Sequence, residues 1–173
     1  ISLDLADGNS AALDSLLQAG KLDMYIGIDV PKSPNEVLVA LATERMHCCM
    51  TRSFMQSYYR EDWESVYQKF RHGVLLEDIA DAPLIYLRSG NRLRTNLDIY
   101  SLHRMDPNIL FESNQHDIIY DLAKNGSGIG VLSPAIFYRN REEMKRLGGQ
   151  FFARPLLGNI PDNTVYLVYR KDY

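Results

Sequence analysis

The stretch Leu122-Ala123-Lys124-Asn125-Gly126-Ser127-Gly128-Ile129-Gly130-Val131-Leu132-Ser133-Pro134 decides the fold class. A helical pattern ends at Asn125-Gly126, where glycine tolerates the left-handed turn that closes a helix. Ile129-Gly130-Val131-Leu132 is a short apolar strand, and Pro134 opens a further helix. The glycines superficially suggest a phosphate-binding loop. Such a loop follows a strand and opens a helix, whereas this one follows a helix and enters a strand, so it reads as helix termination and a tight turn.

The same alternation extends in both directions. Upstream, Ile1-Ser2-Leu3-Asp4-Leu5 alternates apolar and polar like a half-buried strand, and Asp7-Gly8-Asn9-Ser10 supplies turn and cap chemistry. Leu13, Leu16 and Leu17 share one helical stripe that Gly20 closes, and a more buried strand follows at 22–28, completing a βαβ unit. Pro31 opens a loop to Asn35, strands follow at 37–41 and 46–50, and a helical turn lies at 54–59. Trp63, Val66, Tyr67 and Phe70 fall on one face of an amphipathic helix over 62–72. A strand at 84–87 follows Pro83, a turn at Arg88-Ser89-Gly90-Asn91 leads into a helix over 92–103, and 109–111 is a strand. Asn114 is placed to cap the next helix, with Asp117 three residues on. The last strands are 151–157 and 164–169. Helices alternating with strands predict an α/β fold with largely parallel sheets.

Composition narrows the function. The chain has 173 residues, 46% of them apolar and 24% charged, which excludes a disordered chain. Lys+Arg 19 against Asp+Glu 22 leaves a net charge of −3, and no basic block is present to grip a phosphate backbone. No apolar run approaches the roughly 20 residues of a membrane span. Cys48 and Cys49 are adjacent, so no disulfide framework exists and a reducing, cytoplasmic setting is expected. The chain opens on Ile1, without an initiating Met or signal-peptide features, and is expected to be a piece of a longer protein.

Five patterns stand in one order along the chain: Gly20-Lys21-Leu22-Asp23 before a strand, Glu44-Arg45-Met46-His47-Cys48-Cys49-Met50, and Leu76-Glu77-Asp78-Ile79-Ala80-Asp81-Ala82-Pro83-Leu84-Ile85. The glycine stretch at 122–134 and Tyr166-Leu167-Val168-Tyr169-Arg170 complete them. In this order the chain resembles the effector-binding domain of LysR-type transcriptional regulators, from Leu3 to Arg170. The resemblance implies a type-2 periplasmic-binding-protein-like fold: two lobes of mixed, mostly parallel sheet flanked by helices and joined by two crossover strands. Lobe one would be 1–45 plus 154–173, and lobe two 46–153, with crossings near Glu44-Arg45 and Arg154-Pro155. That family's domain begins with one more strand and helix before Ile1, and its DNA-binding winged helix lies further upstream. The segment 62–72 looks like an insertion relative to common members.

The resemblance places an effector between the lobes, where loops at strand carboxyl ends and helix N-termini favour anions. Candidate ligand contacts are Asn9 and Ser10 in lobe one, with Gly27, Ile28 and Asp29 as a floor. In lobe two they are Arg88, Ser89, Gly90, Asn91 and Arg92, with Ser113 and Asn114 as a further wall. Arg88, Arg92 and Arg94 could neutralise a carboxylate or phosphate. The implied partners are a small polar or anionic effector, a second copy in a homodimer packed through the helix at 11–19 (or a tetramer in the full-length protein), and DNA only through the upstream domain. No membrane partner is expected.

No catalytic constellation emerges. His47, Cys48 and Cys49 lie on a strand, whose alternation sends neighbours to opposite faces and prevents convergence on one ion. His72, His103 and His116 show no ligand spacing. Neither a metal, a cofactor nor enzymatic activity is expected. The alternatives are a solute-binding protein of a transporter, or an enzyme, built on the same fold.

Overall fold

In the computed structural model the described residues are 4–99 and 106–172. The helices are α1 (Ser10–Gln18), α2 (Arg52–Tyr59), α3 (Trp63–Lys69), α4 (Arg92–Leu97), α5 (His116–Lys124), α6 (Ala135–Arg139) and α7 (Arg141–Leu147). The strands are β1 (Met24–Ile28), β2 (Glu36–Glu44), β3 (His47–Thr51), β4 (Val74–Leu75), β5 (Leu84–Leu87), β6 (Ile109–Ser113), β7 (Ile129–Leu132), β8 (Phe151–Leu157) and β9 (Asn163–Arg170). The chain divides into two compact units, Ile1–Glu44 with Asn163–Tyr173, and Arg45–Asp162. Arg154 and Pro155, expected at a crossing, instead lie inside β8, which pairs with β3 from Phe151 to Pro155. The stretch 154–162 therefore belongs to the larger unit.

The smaller unit is a three-stranded sheet in the order β1-β9-β2. The stripe read from the sequence packs α1 onto it: Leu13 and Leu17 join Tyr25, Val30 and Val168, with Leu22, Leu38 and Tyr166 partly buried against them. Burying a leucine such as Leu17 contributes about 1.5–3 kcal/mol. Asp4 and Leu5, expected in a strand, are exposed irregular backbone; residues 1–3 of that expectation lie outside the described residues. Glu36 opens β2 almost fully buried, with its Oε1 accepting from the Gln18 side-chain amide at 2.6 Å. Burial raises the Glu36 pKa, and the neighbouring Asp14 carboxyl raises it further.

The larger unit is a six-stranded sheet in the order β4-β8-β3-β7-β5-β6. Five strands share one direction, and β3 alone is reversed, antiparallel to both β7 and β8. In the smaller sheet β9 is likewise antiparallel to β1 and β2. The expectation of largely parallel pairing is corrected accordingly. It holds where helical crossovers link β5, β6 and β7, and fails at β3 and β9, each the first strand after the chain passes from one unit into the other.

The glycine stretch has a packing rationale at each position. Gly126 has φ +78° beyond the end of α5. A Cβ at Gly128 would stand 2.5 Å from the Pro83 carbonyl oxygen, just where β5 begins. A Cβ at Gly130 would stand 3.0 Å from both Ala123 Cβ on α5 and Cys49 Sγ on β3. Close approach of α5 to the sheet thus requires a residue without a side chain.

The segment expected as one helix over 62–72 is broken. A 3-10 turn spans Arg60–Asp62, α3 follows, and a second 3-10 turn covers Phe70–His72. Arg60, at φ 49°, separates this series from α2. Of the expected stripe only Phe70 is fully buried, while Trp63, Val66 and Tyr67 are half-buried. Arg52 covers part of that layer, its guanidinium 5.8 Å from the Trp63 ring and 5.4 Å from the Tyr67 ring.

Two measurements check this description. Gly130→Ala should lower stability by about 1–3 kcal/mol in urea denaturation, the range for overpacking a filled core; an unchanged midpoint would contradict the close packing. Because the Glu36 pKa is raised on folding, its contribution is fully present below the ordinary carboxylate range and is lost as pH rises through the elevated native value. Glu36→Gln, which mimics the protonated acid, should flatten this fall and leave the neutral-pH melting temperature above wild type.

Candidate functional site

The parallel strands β5, β6 and β7 end along one edge of the larger sheet. Three connections leave that edge, at 88–91, 114–115 and 133–134, and β3 begins there because His47 pairs with Leu132. The carboxyl edge of parallel strands is where ligands meet backbone donors and short polar side chains.

The first loop is a tight turn. Asn91 N donates to the Arg88 carbonyl at 3.0 Å, and Arg88 N donates to the Ser113 carbonyl at 3.2 Å, tying the loop to the end of β6. Gly90 takes φ +85°, and a Cβ there would meet nothing within 4 Å, so backbone conformation rather than crowding requires glycine. Asn91 caps α4, its Oδ1 accepting from Leu93 N at 3.0 Å. Its Nδ2 lies 3.4 Å from Asn114 Oδ1, which brings the first two loops together. Arg88 and Ser89 are exposed and have no side-chain partner among the described residues. Arg92 is exposed at the first position of α4.

Two assignments change. Asn114 does not cap α5: Gln115 is the cap residue, and the buried Ser113 hydroxyl accepts from Gln115 N at 3.0 Å. Arg94 is not offered to an anion. The residue is 8% exposed, with Nε 2.7 Å from Asp98 Oδ1 and Nη1 2.8 Å from both the Leu87 carbonyl and Glu112 Oε1. Burial works against its charge, but Asp98 and Glu112 outweigh that and raise its pKa.

The remaining candidates lie in the smaller unit. Asn9 is the cap of α1, accepting from Ala12 N at 2.9 Å. Ser10 begins the helix half-buried, with no hydroxyl partner among the described residues. Ile28 ends β1 opposite Val165. Asp29 next to it has φ 46° and is fastened to β9, its Oδ1 accepting from Thr164 N at 2.7 Å.

Ser133 went unremarked in the sequence. It is buried at the end of β7, and its hydroxyl accepts from Ala135 N at 3.2 Å. The signal was present: a serine ending a strand before a helix, as at Ser113. His47 is half-buried, with Nδ1 2.8 Å from the Arg45 carbonyl. A carbonyl only accepts, so Nδ1 carries the proton. Burial lowers the His47 pKa, partly offset by that bond. Cys48 and Cys49 are free and fully buried, and burial pushes the Cys48 thiol up to about 12 and Cys49 well above the ordinary range. Among the described residues, no group of three His, Cys, Asp or Glu side chains could hold a metal ion. His103 lies outside them.

Among the described residues the edge therefore offers Arg88 as an uncommitted cation, hydroxyls and a sterically open glycine, an inventory suited to recognising carboxylate or hydroxyl oxygens. The profile of the LysR substrate binding domain matches residues 1–173, and the chain belongs to that family, as a ligand-sensing regulatory domain of the LysR type. Similar solved structures include the BenM effector-binding domain with its effector benzoate, at 19% identity and TM-score 0.69, covering 97% of this chain and 69% of that one. The effector-binding domain of QuiR in complex with shikimate aligns at 16% identity and TM-score 0.69, covering 96% and 70%. Full-length CbnR complexed with target DNA aligns at 15% identity and TM-score 0.70, covering 98% of this chain but 54% of that chain. The chain thus spans about 70% of the effector domains and about half of the full-length regulator. At these identities the likeness establishes the fold, the expected type-2 periplasmic-binding-protein-like class. No curated protein sequence matches the chain.

Burial of both cysteines has a direct check. A thiol reagent such as Ellman's should label neither Cys48 nor Cys49 in the native chain and both after denaturation. Native labelling at the denatured rate would contradict the structure.

Proposed function

We propose that this domain serves a LysR-type transcription regulator by binding a small polar or anionic metabolite at the carboxyl edge of the larger sheet. Arg88, Ser89, Gly90, Asn91 and Arg92 form its main wall, with Ser113 and Asn114 beside them. The observation that carries this reading is the row of loops at 88–91, 114–115 and 133–134, with Arg88 and Ser89 uncommitted. The small molecules bound to BenM and QuiR, benzoate and shikimate, are both carboxylates, which suits a site where Arg88 is an uncommitted cation among the described residues.

Occupancy would bias a conformational equilibrium and so modulate DNA binding elsewhere in the full-length protein. The net charge of −3 agrees with DNA contact lying outside this chain. The regulator would act in the cytoplasm as a homodimer, without enzymatic activity. Among the described residues no helix is long and apolar enough to cross a membrane.

A thermal-shift screen against organic acids tests the reading. A true ligand at about 100 times its Kd should stabilise the chain by about 2.7 kcal/mol. Arg88→Ala should weaken an anionic ligand about tenfold or more, and Arg88→Ala with Asn91→Ala should abolish the shift. A ligand whose shift survives the double substitution would place the site elsewhere.

A further inference from the structure

We infer that Arg94 is a positioning residue of the ligand site, setting the spacing between the 88–91 loop and the end of β6 at Ser113, where the 114–115 loop begins, without contacting the ligand. The inference rests on the carboxyl edge being that site. Arg94 is one turn inside α4, yet its guanidinium reaches back beneath the edge. Nη1 donates to the carbonyl of Leu87, the last residue of β5, and to the carboxylate of Glu112, the residue before Ser113. Nε donates to both carboxylate oxygens of Asp98, at 2.7 and 2.8 Å, at the end of α4. The guanidinium sits over the buried Tyr86 ring, with Cζ 4.3 Å from the ring centroid.

Each of the acceptors Leu87 and Glu112 stands immediately before a loop of the proposed site. Displacing either loop therefore means breaking a charge-assisted hydrogen bond to a buried cation, among the stronger contacts a protein makes. The backbone bond from Arg88 N to the Ser113 carbonyl spans the same gap, at 3.2 Å, and depends on the same spacing. Two carboxylates, Asp98 and Glu112, more than offset the Arg94 charge, so the cluster exerts no net pull on an anion and leaves that task to Arg88. A lysine has the charge but neither the planar fork nor the flat face, and cannot hold these three acceptors while seated over Tyr86.

The test is peptide-level hydrogen exchange on the chain with Arg94→Lys and, as a milder change, Glu112→Gln. Arg94→Lys should speed exchange about tenfold or more in peptides covering 86–91 and 111–116, leaving 47–51 and 151–157 as in wild type. Glu112→Gln should give the same pattern with a smaller increase. Unchanged exchange at both loops in both variants overturns the inference. A uniform rise across the larger unit in both also overturns it, since Arg94 would then merely support the core. Loosened loops in a chain whose melting temperature no organic acid moves would sink the ligand reading alone and leave the clamp standing.

Discussion

The close approach of α5 to the larger sheet is the constraint on which the rest depends. A helix can lie that near a strand only where the strand has no side chain at the crossing, and Gly130 provides that gap between Ala123 and Cys49. Gly128 does the same at the Pro83 carbonyl. With β7 seated there, Leu84 pairs with Ile129 and Ile85 with Gly130, while Leu87 pairs with Ser113 on the other side. That register aligns the three loops along one edge. A stretch that looks like a phosphate cradle thus contributes to the ligand edge from within the core, by fixing where the strands end.

Local chemistry was legible in the sequence, and non-local pairing was not. The leucine stripe of α1, the turn at 88–91 and the strand at 84–87 depend on residues within a turn or two of one another, and they stand as read. Strand direction depends on distant partners, so the reversal of β3 and β9 left no trace in the alternation of helices and strands. The helix over 62–72 is shortened to α3 by a local detail, the 3-10 geometry at Asp62 and at Phe70–His72, which periodicity does not register. Residues 100–103 of the helix expected over 92–103 lie outside the described residues.

The candidate site shows the same division. The loop at 88–91 stood out because arginine, serine, glycine and asparagine are turn and recognition residues wherever they cluster. Whether an arginine there faces a ligand or its own protein is decided by register. Arg88 and Arg94 look alike in the sequence, but Glu112 reaches Arg94 only because β6 pairs beside β5. The asparagine cap predicted at 114 lies at Gln115 instead, where the backbone N–H of Gln115 donates to the Ser113 hydroxyl.

The antiparallel strand at the centre of the smaller sheet also orders events in time. β9 pairs with β1 on one side and β2 on the other, so neither earlier strand has its inner partner until the end of the chain has been made. The larger unit is one uninterrupted stretch of sequence, whereas the smaller unit must close a loop containing the whole of the larger one. On a ribosome, the larger unit can therefore fold while the strands of the smaller one are still waiting. The loops at 88–91 and 114–115 would be in place before Asn9 and Ser10 have a finished sheet beneath their helix.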